Sequence, residues 1–224
     1  MDHYSLSYIS EEKLAAFAAS EARLLRPDAA GSARRCAELM KRSFSLIERT
    51  HQTIARRYGG QPSAPAACEW LLDNWYMVQR EYRSARAGLS GARRLRLCGE
   101  LPLIFELCRA LLHAGLGAAD EERCALFLRG FQTVTVLRRS ELMLFPAALR
   151  AAVIEGIAQV CSSMQYASDT GEYAKELEAL FGTLRLFSVL DTEKLLSGAD
   201  VAEAILSRDP TGDYPNMDLG TRQD

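Results

Sequence analysis

The chain has 224 residues, of which 29 are acidic and 27 are basic, and its formal net charge is -2. This length is enough for one large helical domain or two small ones, and such a domain can bury its core without disulfide bonds or metal ions. The near balance of charge gives no electrostatic reason to expect a nucleic acid or an anionic membrane as partner.

Two helices are predicted at the start of the chain. Ser10 precedes two glutamates and therefore predicts a helix start, and Pro27 ends the helix that follows. From Ala33 to Tyr58, apolar residues recur at spacings of three and four, which predicts one face of a long helix. The glycine pair that begins at Gly59 ends that helix.

The middle of the chain predicts three more helices. Pro65 suits the first turn of a helix that extends to about Gly88. The cluster Arg93–Arg96 is interpreted as a loop with solvated side chains. The segment Pro102–Gly115 predicts a helix stopped by glycine, and Asp120 caps the next one. We expect these last two helices to form an antiparallel hairpin.

The second half of the chain predicts further helices. Ser140 is a candidate cap for a helix to about Cys161, in which Pro146 should cause a kink or move the start. Apolar residues at helical spacing after Asp169 predict another helix. Shorter helices are predicted around Leu195 and Ala204.

These elements predict an all-α fold. Strand-like alternation is nowhere sustained, and its nearest case, Thr133 to Leu137, is better explained as a helix end. We predict a bundle of antiparallel helical hairpins with about seven to nine helices, and helical hairpins in series leave a solenoid-like arrangement open. One helical domain is expected over residues 1–208, followed by an irregular tail, rich in proline and glycine, over residues 209–224.

The cysteine pattern and the absence of motifs exclude several kinds of site. The six cysteines are scattered without a CxxC pair, so we expect small buried side chains in a reducing compartment. No histidine lies at a spacing that completes a metal site, and no nucleotide-binding, zincin or nucleophile-elbow motif is found. We therefore expect no metal and no cofactor. The sequence shows no signal peptide and no run near the ~20 apolar residues that span a bilayer, which predicts a cytoplasmic location.

The stretch Ala67–Tyr82 contains four large aromatic rings together with the acids Glu69 and Asp73. On a continuous helix, Glu69, Asp73 and Arg80 share a ridge and the rest is mostly apolar, so the helix is predicted to be central. Buried carboxylates need cations or donors, and the main interpretation is therefore a structural network with Arg80 or with an arginine of a neighbouring helix. The alternative is an acid pair between aromatic platforms, as in carbohydrate sites.

Four segments resemble, in the same order, the amino-terminal helical region of cyclic β-1,2-glucan synthases, which are large bacterial membrane enzymes. They are EWLLDNWY from Glu69, ELPLIFELCRALLHAG from Glu100, FLRGFQTVTVLRRSELMLFPAALRAAVIEGI from Phe127 and AILSRDPTGDYPNMDLGTRQD from Ala204. In the last two segments, the positions that match the family are Phe127, Gln132, Val134, Leu137, Glu141, Leu142, Pro146, Leu149, Arg150, Ile154, Glu155, Asp209, Pro210, Gly212, Tyr214, Met217, Asp218, Thr221 and Arg222.

The sequence also departs from that family. Met143 stands where the family usually has tryptophan, and Trp75-Tyr76 replaces a phenylalanine-histidine type of pair. The acid that usually follows soon after His113 is missing. The resemblance is therefore to a diverged member of the family.

The resemblance implies a parent enzyme that polymerises glucose from UDP-glucose into β-1,2-linked chains, cyclises them, and trims them with a phosphorylase-like region. None of those catalytic motifs lies in these residues. The resemblance thus implies a non-catalytic scaffold that docks against a downstream glycosyltransferase region, into which the tail would lead. β-Glucan oligosaccharides are a second candidate partner.

The candidate site residues follow from both interpretations. The polar strip predicted to bind consists of Glu69, Asp73, Arg80 and Glu141. In the scaffold interpretation the internal acids, Glu155 among them, pair with arginines such as Arg80 and Arg150, and replacement of Asp73 by alanine destabilises the fold.

Two other classes of protein remain as alternatives. One is a stand-alone helical module that binds carbohydrate or regulates a partner, although the region around Gly31 lacks the pattern of a helix-turn-helix. The other is an enzyme that acts on oligoglucosides through Glu69 and Asp73.

Overall fold

A computed structural model describes residues 8–59, 64–164, 171–187 and 195. These residues form eight α-helices and a small antiparallel sheet of three strands, which confirms the predicted all-α class. The predicted helix around Ala204 and the tail at residues 209–224 lie outside the described residues. Of the predicted helix around Leu195, only Leu195 itself is described, and it is buried.

The elements follow one another with short connections. In chain order they are α1 (Glu11–Leu24), β1 (Ala29–Ser32), α2 (Arg34–Tyr58), α3 (Ala66–Asp73), α4 (Trp75–Leu89), β2 (Arg93–Cys98), β3 (Leu101–Pro102), α5 (Leu103–Ala114), α6 (Glu121–Gln132), α7 (Arg139–Met164) and α8 (Gly171–Leu186). The bounds of α1, α2, α5, α6 and α8 agree closely with the predictions. The Asp120 carboxylate caps α6 as predicted, because it accepts a hydrogen bond from the Arg123 backbone N–H at 2.8 Å.

The single helix predicted from Pro65 to Gly88 is wrong, because the chain breaks into α3 and α4 at Asn74. The Asn74 side-chain amide donates to the Trp70 carbonyl at 2.9 Å, and its oxygen accepts from Arg185 at 3.1 Å. The Trp70 carbonyl thus accepts both the Asn74 side-chain amide and, at 3.2 Å, the Asn74 backbone N–H, an arrangement by which asparagine competes with regular helical bonding. The exposed side chains nevertheless continue at helical spacing across Asn74, through Glu69, Asp73, Tyr76 and Arg80, so the predicted ridge is present and faces solvent.

The loop predicted at Arg93–Arg96 is also wrong, because these residues begin strand β2. β2 pairs with β1 on one side and with β3 on the other, both antiparallel. Leu95 is buried while Arg94 is exposed and Arg96 is half-buried, which is the alternation of a strand with one face on the core. Arg93–Arg96 is too short and too rich in arginine for this alternation to identify a strand in the sequence.

Helix α7 is the centre of the described fold and packs against α2, α4, α5 and α8. Its range runs through Pro146 from a start at Arg139, so a moved helix start, one of the two effects predicted for this proline, does not occur. The predicted hairpin of α5 with α6 is not the main contact of either helix, because α6 packs chiefly against α1. Gly130 permits that close packing: a Cβ at this position would lie 2.4 Å from the Ala15 carbonyl oxygen.

A buried arginine ties the start of the described chain to α5 and α6. The Arg123 side chain is 2% exposed and donates to the Tyr8 hydroxyl at 2.8 Å and to the carbonyls of Ile9 and Ala114 at 3.0 and 3.3 Å. The Ala114 carbonyl belongs to the last turn of α5, where the helix dipole favours a cation. The segment before α1 is thus held against the α5–α6 connection.

Candidate functional site

The acid pair singled out in the sequence lies on the protein surface. Glu69 and Asp73 are both exposed on α3, and in the part of the chain that the structure describes neither forms a hydrogen bond or an ion pair. The prediction that these two acids are internal and locked by arginine is therefore wrong. The physical reason is the packing of α3, which buries Leu71 on one side, so that the ridge with Glu69 and Asp73 on the opposite side faces solvent.

Glu141 does behave as a predicted internal acid, but its partner is Arg96. The Glu141 carboxylate is 1% exposed and accepts from the Arg96 Nε at 2.9 Å and from the Arg138 backbone N–H at 2.9 Å. Burial acts to raise the pKa of Glu141, but these hydrogen bonds and the charge of Arg96 outweigh burial and leave the pKa below its ordinary value. The Glu141 carboxylate therefore stays ionised, and its ion pair with Arg96 joins β2 to the start of α7.

A second buried acid, Glu81 on α4, was not singled out in the sequence. It is 3% exposed and accepts from the Arg80 Nε at 2.6 Å and from the Arg150 Nε at 2.7 Å. The Arg150 guanidinium also lies over the Phe187 ring at 3.9 Å and donates to the Pro146 carbonyl. Arg80 and Arg150 thus form ion pairs, but with Glu81 and not with any of the four acids predicted as their partners.

Glu155 shares an arginine with Glu106 of α5. Arg109 lies 3.2 Å from a carboxylate oxygen of each acid. Burial raises the pKa of Glu155, the charge of Arg109 opposes that rise, and the neighbouring Glu106 adds to it. Two acids that share one cation hold α5 and α7 together.

The aromatic rings around Trp75 form a column between α2 and α4. Trp75 stacks on Phe44 at 5.5 Å and on His51 at 4.6 Å, and Phe44 stacks on Tyr82 at 4.0 Å. All four rings are half-buried, and burial lowers the pKa of His51. The rings stack on one another, so the column fills the groove between α2 and α4, and its stacked faces are not available to a ligand.

The polar strip predicted to bind is therefore distributed over different surroundings. Glu69 and Asp73 lie on the outer side of α3, Arg80 is bonded to Glu81, and Glu141 is buried against Arg96. Because Glu141 is buried and the other three side chains face solvent, the described residues form no common cleft from the four.

Two open grooves lie beside β2 and α2, and both are lined by charged side chains. One of them, about 410 Å³, lies between β2 and the first turn of α2 and is lined by Ser32, Arg34, Arg35, Leu97, Gly99 and Glu100. Its arginines pair with Glu38 and Glu100 in exposed ion pairs of 2.9 to 3.2 Å. Among the described residues no group of three histidine, cysteine or acidic side chains is placed to hold a metal ion.

The cysteines are mostly part of the core. Cys36, Cys68, Cys108, Cys124 and Cys161 are buried free thiols, as predicted, and Cys98 is half-buried. Burial raises the pKa of Cys36, Cys124 and Cys161 to about 12. Thiols held protonated in this way are inert packing groups.

Comparison with models of known protein families gives no match, and comparison with curated protein sequences gives none either. Fold and site together define an all-helical protein whose buried carboxylates are paired with arginines.

Helix α7 is long and apolar enough to cross a membrane by length and composition, which the search for apolar runs in the sequence missed. Of its most apolar window, 83% is buried inside the protein, as in a core helix.

Proposed function

We propose that this chain is a non-catalytic helical scaffold and docking segment of a cyclic β-1,2-glucan synthase-like glycosyltransferase. The parent would polymerise glucose from UDP-glucose on the cytoplasmic side of the inner membrane, and the segment would dock against its downstream transferase region. The four segments that resemble the family in sequence order support the proposal.

One observation on the described residues carries the non-catalytic part of the proposal. Within the FLRGFQTVTVLRRSELMLFPAALRAAVIEGI segment, the charged positions that match the family are Glu141, Arg150 and Glu155. Each of them is used in an ion pair that joins α7 to another element. Side chains with this arrangement set the positions of helices and do not face a substrate.

The most direct test is the sequence that the gene encodes after Asp224. A continuing chain with membrane spans and a DxD-type transferase motif is the expected result. A stop codon at this point would remove the docking partner and overturn the proposal.

A stand-alone carbohydrate-binding or regulatory module is the second candidate, and the surface of α3 and α4 favours it. Glu69 and Asp73 are exposed, and so is Tyr76, at 61%. An acid pair beside an exposed ring can contact a sugar.

Calorimetric titration with β-1,2-glucooligosaccharides separates the two candidates. No saturable heat is expected for the scaffold. Saturable heat that Glu69→Gln abolishes, and that Glu178→Gln on the exposed side of α8 leaves unchanged, would favour the binding module.

A further inference from the structure

Three exposed apolar side chains lie where the end of α1 meets the connection between α6 and α7. Leu24 is 71% exposed, Val136 is 54% exposed and Val134 is 41% exposed. The Thr135 hydroxyl donates to the Ala22 carbonyl at 3.3 Å, which places the two valines beside the last turn of α1. Exposed apolar side chains that lie next to one another are typical of an interaction surface.

Exposed arginines border these side chains. The Arg138 guanidinium donates to the Arg94 carbonyl at 3.4 Å, so β2 and the start of α7 meet beside the α6–α7 connection. Arg93, Arg94 and Arg138 are exposed, and over the described ranges none of the three forms an ion pair. The acid of this region, Glu141, is buried and bonded to Arg96. We call the surface formed by Leu24, Arg93, Arg94, Val134, Val136 and Arg138 the basic end.

The carboxyl-terminal residues 201–224 have the complementary chemistry. They contain five acids and two arginines, a net charge of -3, whereas the basic end carries only positive charge. They also contain apolar side chains that can cover the exposed leucine and valines, including Ile205, Leu206, Met217 and Leu219. Opposite charges around an apolar centre favour one docked orientation.

The chain is long enough for this contact. Leu195 is buried in the core, so the chain is held against the protein at that point. The 29 residues after Leu195 can span about 95 Å when extended, at roughly 3.3 Å per residue. The longest described helix, α7, is about 39 Å long at 1.5 Å per residue.

We propose that residues 201–224 dock on the basic end of the same chain, with their carboxylates beside the exposed arginines and their apolar side chains on Leu24 and Val136. An attached segment has a high effective concentration at its own surface, which favours it over a second copy or a free partner. The inference goes beyond the proposed function, because it requires neither a downstream region nor a sugar.

The test uses Val136→Met in the full 224-residue chain as a reporter. Oxidation of the introduced side chain by hydrogen peroxide is followed by peptide mass spectrometry. The reporter is combined with Asp209→Asn, Asp213→Asn and Asp218→Asn. A matched control removes the same number of charges elsewhere on the exposed surface, by Glu12→Gln, Glu172→Gln and Glu178→Gln.

The three asparagine substitutions are expected to speed oxidation of the reporter about fivefold, and 1 M salt should do the same because it shortens the range of electrostatic attraction to about 3 Å. The control variant should keep the slow rate. Buried Met40 and Met77 should stay unreactive in every variant, which shows that the fold is intact. Equal reporter rates in all variants would overturn the proposal, and so would protection that increases with protein concentration, which identifies a second copy as the occupant.

Discussion

Glu141 illustrates what a charged residue needs in the interior of this protein. Its carboxylate receives hydrogen bonds from the Arg96 side chain and from two backbone N–H groups. Glu81 meets the same requirement with Arg150, and Glu155 meets it only in part with Arg109, whose charge opposes but does not cancel the rise in the Glu155 pKa. All three pairs involve α7, so single charged residues decide how other elements are placed around that helix.

Loss of the Glu141 charge should therefore destabilise the fold. We expect Glu141→Gln to lower the free energy of unfolding by about 2–3 kcal/mol, toward the lower part of the range for a broken buried pair, because the Arg96 side chain keeps some contact with solvent. Exposed and unpaired Glu69 provides the matched control, and Glu69→Gln should change stability by less than about 0.5 kcal/mol. Urea unfolding of the two variants measures both values. Equal losses would contradict the role assigned to the buried pair.

The same residues predict how stability depends on pH. The pKa of Glu141 is lowered in the folded state, so its contribution is present above the ordinary value of 4.5 and is lost as pH falls through the lowered pKa. The pKa of Glu155 is raised, so its contribution is present below 4.5 and is lost as pH rises through the raised pKa.

Urea unfolding from about pH 3 to pH 7 checks both signs. Glu141→Gln should flatten the dependence of stability on pH below 4.5, whereas Glu155→Gln should flatten it above 4.5. If both variants changed the same side of the profile, one of the two pKa directions would be wrong.

At the scale of elements, single residues determine how closely two helices approach and which segments they contact. Gly130 lets α6 approach the backbone of α1, and Asn74 separates α3 from α4. Thr183 of α8 is a third such position, since its hydroxyl accepts from the Ala119 N–H and donates to the Gly117 carbonyl, both at 2.8 Å. Each position matters through a contact with another element.

Two glycine substitutions should therefore have opposite effects. Gly130→Ala places a methyl group against the Ala15 backbone and should destabilise the protein by about 1–3 kcal/mol, the usual cost of overpacking. At Gly182, an exposed position of α8, an added Cβ has no neighbour within 4 Å, so Gly182→Ala should stabilise the protein by about 0.5–1 kcal/mol because alanine is the better helix former. Thermal melts followed by circular dichroism measure both shifts. A stable Gly130→Ala variant would show that α1 and α6 do not approach closely.

The whole molecule is organised around α7, which places its apolar side chains against four other helices. Such a core helix couples its neighbours, because no layer can separate without exposing α7 to water. The prediction of one helical domain over residues 1–208 depends on this coupling.

A cavity in α7 tests the coupling. Ile154 is fully buried, and Ile154→Ala should cost about 2–5 kcal/mol. Far-UV circular dichroism reports all helices, whereas fluorescence of Trp70 and Trp75 reports α3 and α4. Both unfolding transitions should shift together. A fluorescence transition that stays in place would show that α3 and α4 unfold on their own. Met143→Ala, at a position of α7 that is 62% exposed, is the control and should shift neither transition.

The sequence by itself determined the helix content and most helix bounds, because these depend on local signals. Apolar spacing, the Asp120 cap and the glycines at Gly59 and Gly115 act within a few residues of the elements they delimit. The sequence also indicated that buried acids would be paired with arginines, because an unpaired buried charge is too costly in any fold.

Only the tertiary structure decided which acids are buried and which arginines they meet. Glu141 and Arg96 are 45 residues apart, and nothing local to either one predicts the other. Asn74 breaks a helix that its neighbours favour, since its side chain finds Arg185 across the fold. The packing of α3 through its Leu71 side left Glu69 and Asp73 facing solvent. Pairing over such separations is set by how helices pack, and packing depends on the whole chain at once.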